Sequence, residues 1–184
     1  MKVQKIMWQT AVATIVMVAG GALMAADTTR DANTQENRGQ FSARDYRFVK
    51  EAALGGMTEV RLGELAKQKG SSQAVRDFGQ RMVADHSKAN DELKQIAATK
   101  GAVLPTEISH RENSEIERFE KLSGPEFDKE YVKHMVKDHQ KDAKEFADAA
   151  DDVKDPDLKA FAQKTRTTVE DHLRMAREME ASVK

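Results

Sequence analysis

Apolar residues return every three or four positions over most of the chain, in four long runs. That period marks helices with one buried face. The first run predicts a helix from about 43 to 69, with Ser42 as N-cap, Asp45 three residues on and Gly70 as the stop. Its inner stripe is Val49, Ala52, Ala53, Gly56, Val60, Gly63 and Ala66. Small side chains dominate that stripe, so a neighbouring helix can approach closely. The second helix starts after Ser71 or Ser72 and runs to about Thr99, with Val75, Phe78, Met82, Ala89, Leu93 and Ile96 inward and Gly101 closing it.

The third helix opens at "GPEFD", where Pro125 sits early enough that its missing N–H does no harm. It turns Tyr131, Val132, Met135, Ala143, Phe146 and Ala150 inward. "DDVKDPD" then reverses the chain, with Asp155 as cap and Pro156 at the first helical place. The fourth helix carries Leu158, Phe161, Ala162, Thr165, Val169, Met175, Met179 and Val183. Between the second and third lies a connection too long for a tight hairpin, in which "SEIERFEKL" predicts a short helix. Two helix pairs joined by one long crossover have the connectivity of a ferritin-like four-helix bundle, so an all-α domain is expected over 42–184.

The flanking sequence at the N-terminus has another character. Lys2 and Lys5 precede an apolar stretch from Ile6 that ends in small residues around Ala22, Ala25 and Ala26. This reads as a signal peptide over 1–26, exporting the protein to the periplasm. Against a retained membrane anchor stand Gln9, Thr10 and the Gly20–Gly21 pair. Residues 27–41 are polar and without period, and are expected to form a disordered linker.

Composition narrows the classes. The 184 residues hold 30 basic and 31 acidic side chains, interspersed along the chain, with no basic arm for nucleic acid. No cysteine is present, so disulfides, a lipidated cysteine and cysteine nucleophiles are all excluded. No serine-nucleophile motif occurs, and no transmembrane segment is expected after the signal.

The chemistry lies in a repeat. Val-x-Asp-His is written three times, ending at His86, His139 and His172. His86 and His139 each follow a stripe methionine by four residues, and His172 lies three before Met175. Each histidine therefore faces inward. So does Glu59, three after Gly56 and four before Gly63. All four fall near the middle of helices that span roughly 40 Å, so the bundle brings one polar side chain per helix to a similar height. Alone, such groups are costly to bury. Either Glu59, His86, His139 and His172 bind one transition-metal ion (zinc, iron, manganese or copper) or they satisfy one another as a buried network. Asp85, Asp138 and Asp171 sit at the stripe's edge, placed to orient a histidine of another helix or to remain surface charges.

The blocks "GELAKQKGSSQAVRDFGQRMVADHSKANDELKQIA", "FDKEYVKHMVKDHQK" and "DPDLKAFAQKT...DHLRMA" resemble the bacterial ferritin-like domain-of-unknown-function 4142 family. The resemblance implies an exported four-helix bundle, often labelled an outer membrane protein, and implies no activity. Di-iron bundles use Glu-x-x-His, yet Val83, Val136 and Val169 stand three before the histidines here. A ferritin-type di-iron centre is therefore not expected. Three readings follow: a non-enzymatic metal-binding bundle, a metal-dependent oxidoreductase or stress-protection protein, and a metal-free pH-responsive bundle with an envelope partner or a second copy of itself.

Overall fold

The computed structural model describes residues 37–182. The expected signal, most of the linker and Val183 lie outside the described residues. Among the described residues the domain has four long helices and one short one: α1 Ala43–Lys69, α2 Gln73–Thr99, α3 His110–Glu120, α4 Gly124–Asp152 and α5 Pro156–Glu180. Side chains cap most of their starts. Ser42 accepts from the Asp45 amide, Ser72 from Val75, and Asp155 from both Asp157 and Leu158. The short helix starts earlier than its apolar residues indicate, because the Ser109 hydroxyl caps it, accepting from the Arg111 amide and donating to the Glu112 carboxylate.

The order of the helices follows from what holds their ends. Gly70, closing α1, bridges Gly124, opening α4, so these two helices run antiparallel. Nearby, Asp128 of α4 is buried and accepts 2.8 Å hydrogen bonds from the Ser71 amide, the Ser71 hydroxyl and the Ser72 amide. One carboxylate thus fastens the α1–α2 turn to α4. Burial works against its charge, but these donors win and hold its pKa below the usual range. At the opposite end Lys100 pairs with Asp155 at 2.6 Å and Asp157 at 3.0 Å, joining the end of α2 to the start of α5. The chain therefore returns along the bundle between α2 and α4, which is the ferritin-like connection.

Two apolar clusters fill the interior. Leu93, Phe146, Leu158 and Phe161 centre one, near the Lys100 end. Phe78, Phe119, Phe127 and Tyr131 centre the other, near Asp128. The small residues of α1 act as their positions predict. A Cβ on Gly63 would lie 2.8 Å from the Gly79 carbonyl oxygen, so α1 and α2 touch backbone to backbone. Leu62 rather than Val60 is fully buried, because the inward line turns through Glu59 and then follows Leu62, Gly63 and Ala66. Ala176 likewise takes the core place expected of Met175, which lies half-buried at the cluster's edge.

The last residues of the expected linker are ordered. Phe41 is buried in the first cluster, and the backbones of Asn37 and Gln40 bond those of Val103 and Lys100. One buried aromatic side chain and two backbone hydrogen bonds anchor a segment whose composition is otherwise polar. Among the described residues, no helix is long and apolar enough to cross a membrane.

Candidate metal centre

Between the two apolar clusters lies a polar layer. α1 contributes Glu59, α2 His86, α4 His139 and α5 His172. Glu59 is 1% exposed, His86 7%, and His139 and His172 not at all. The imidazole centroids lie 5.4 Å apart for His86–His172 and His139–His172, and 5.9 Å apart for His86–His139. One ring nitrogen from each comes within 4.8 Å of the other two. Glu59 belongs to an adjoining group, in which its carboxylate, that of Asp138 and a nitrogen of His139 lie within the same 4.8 Å. The expected set of four is thus two overlapping groups that share His139.

Hydrogen bonding fixes the state of two rings. Nδ1 of His139 is 3.0 Å from the Met135 carbonyl oxygen, which only accepts, so Nδ1 carries the proton and Nε2 a lone pair. Nε2 of His172 is 2.8 Å from the Asp85 carboxylate, so Nε2–H donates and Nδ1 carries the lone pair. The freed atoms, His139 Nε2 and His172 Nδ1, have no protein partner, and neither does His86 Nε2. Both Glu59 oxygens and the Tyr131 hydroxyl are buried and unpartnered as well. Buried polar atoms rarely go unpaired, since desolvation without a partner costs about 1–3 kcal/mol each. Here they cluster in one layer.

The electrostatics favour neutral imidazoles. Burial, then the neighbouring rings, pushes His86 well below its usual pKa. Burial and His172 bring His139 down to about 4. Burial also lowers His172, with the Asp85 bond opposing it. Glu59 moves the other way. Burial raises it well above the carboxylate range, and Asp138 adds to the rise as a like charge and as an acceptor for the retained proton. Apart from that contact with Asp138, neither Glu59 oxygen has a hydrogen-bond partner. Tyr131 is held protonated by burial and by the nearness of Glu59.

The three aspartates of the repeat have three fates. Asp85 crosses from α2 to the histidine of α5. Asp138 faces Glu59 rather than a distant imidazole. Asp171 points outward, half-exposed and 3.8 Å from Arg174, so it orients no ring; its place on α5 turns toward solvent. Two further groups escaped the pattern reading. Tyr131 occupies a core place, and its buried hydroxyl lies near enough to Glu59 to feel its charge. Asp142, four residues after Asp138 and on the same face, is raised to about 7 by burial and by Asp138. His134 lies against Phe119, 3.4 Å from Glu115, and joins neither group of candidate ligands.

The donor set, three neutral imidazole nitrogens with a carboxyl beside them, fits a borderline transition-metal ion. Its orphaned atoms are those such an ion would take. Comparison with known proteins places the chain. Residues 30–179 match the family described as Domain of unknown function (DUF4142), and the chain belongs to it. No curated protein matches significantly. A DUF305 fragment from Deinococcus radiodurans, known from a crystal structure, shares the fold at a TM-score of 0.66 and 13% identity, over 78% of this chain and 97% of that one.

Proposed function

We propose that this member of the DUF4142 family is an exported, periplasmic metal-binding bundle that holds one transition-metal ion in its central layer. His86, His139 and His172 supply the nitrogens, and Glu59 supplies a carboxylate from the His139 side. Asp85 holds the His172 ring, the Met135 carbonyl holds the His139 ring, and Asp138 stands behind Glu59. One observation carries the reading. The buried nitrogens left without a partner include, for His139 and His172, the lone-pair atoms that their hydrogen-bonded nitrogens leave free to ligate. Neutral imidazoles need lose no proton to bind, so the site is poised at neutral pH. Export rests on the charged and apolar start of the sequence.

An ion that binds only the native state raises its stability by RT ln(1 + [L]/Kd), about 2.7 kcal/mol at a hundredfold excess over Kd. The test is thermal unfolding of chelator-treated protein with and without zinc, iron, manganese or copper. A rise in Tm with at least one ion, abolished in His86→Leu/His139→Leu, supports the reading. Identical melting with every ion would refute it.

A further inference from the structure

The layer is sealed on most sides. His139 and His172 have no exposed surface, and only His86 reaches one. His86 also lines a cavity of about 260 Å³ among α1, α2, α4 and α5, beneath the start of α3. Six carboxylates line this cavity (Glu51, Glu112, Glu115, Asp138, Asp142 and Glu145) against two cationic side chains, Arg111 and Lys141. Both cations are already engaged. Arg111 stands 3.8 Å from Glu112, and Lys141 reaches Glu145 at 3.0 Å and Asp142 at 3.7 Å.

The carboxylates are also graded in depth. Glu51 lies exposed and Glu145 is about 43% exposed, Asp142 and Asp138 are half-buried, and Glu59 lies beyond Asp138 in the layer. At the inner end His86, 7% exposed, lines the cavity with its Nε2 unpartnered. The wall on α1 is kept open by small residues. A Cβ added at Gly55 would meet nothing within 4 Å.

We infer that this cavity is the path by which a divalent cation reaches the histidine layer, with Glu51 and Glu145 gathering it at the mouth and Asp142 and Asp138 passing it to His86. The inference rests on the metal-binding reading above. A concave site with an excess of one sign of charge concentrates the opposite ion and speeds its association, and salt weakens that effect. The step is a ligand exchange, in which waters leave the cation and carboxylate and then imidazole lone pairs replace them, with no redox change.

The test is stopped-flow uptake of Co²⁺ by metal-free protein, followed by visible absorption, in wild type, Glu51→Gln/Glu145→Gln and Gly55→Leu. None of these positions holds the ion at its final site, and both carboxylates lie at the surface. At low salt the carboxylate variant should load on the order of five-fold more slowly, with the bound Co²⁺ at equilibrium unchanged. Its rate should also depend less on salt. Gly55→Leu, which narrows the cavity, should slow uptake at every salt concentration. Wild-type uptake rates in both variants, with normal final binding, would overturn the path and leave the metal site standing. Absence of Co²⁺ binding in the wild type at equilibrium would remove the site and the path together.

Discussion

Asp85 on α2 and His172 on α5 meet across the bundle at 2.8 Å, although 87 residues separate them. The carboxylate is about one-third exposed while the imidazole is wholly buried. Asp85 therefore links solvent to the central layer and fixes which nitrogen of His172 faces inward. Such an outer partner typically changes metal affinity by 10–100-fold. Asp85→Ala should lower affinity within that range and leave a folded bundle, as titration against a competing chelator will read. Unchanged affinity would show that the His172 ring is held by packing alone.

Proton counting separates the ligands. The imidazoles are neutral in the metal-free protein, whereas Glu59 keeps its proton well above the carboxylate range. Metal binding near pH 6 should release about one proton, and none in Glu59→Gln. Calorimetry in buffers of different ionisation enthalpy gives the number. A release near three would mean that the imidazoles are charged before binding.

The same shifts set how metal-free stability responds to pH, and the signs oppose. A histidine held neutral stabilises above its unfolded pKa of about 6.5, and that stability is lost on acidification. For His139, with a folded value of about 4, the loss between pH 7 and 5 is about 2 kcal/mol. Glu59 behaves inversely, since its folded pKa is raised. It stabilises below its unfolded value and destabilises as pH climbs above it. Metal-free Glu59→Gln should therefore be more stable than wild type at pH 7. That advantage should shrink as pH falls toward the ordinary carboxylate range. Urea unfolding across this range checks it, and a constant difference would contradict a protonated Glu59.

Helix number, helix ends and most of the inward set were legible because they depend on local spacing. Ser42, Ser72, Asp155 and the two helix-starting prolines mark boundaries within a few residues of the chain. The central layer was legible too, since a residue's height and face follow from its place on a straight helix. What spacing cannot show is the neighbour across a helix edge. The three aspartates share one motif and one phase, yet face an imidazole, a carboxyl and solvent. Phe41 and Asp128 were missed for the same reason: each is fixed by a contact with a distant segment, Phe41 in the core near Ala97 and Phe161, Asp128 on Ser71 and Ser72. The cavity to His86 has no sequence signature beyond small residues on α1, which also serve close helix packing.

The most direct test of the central layer is elemental analysis of protein purified from its native envelope without tag or chelator, wild type beside His86→Leu/His139→Leu. The expected result is about one transition-metal ion per chain in the wild type and none in the variant. A wild type that is folded, stable and free of metal would contradict it, and would make the layer a buried polar network.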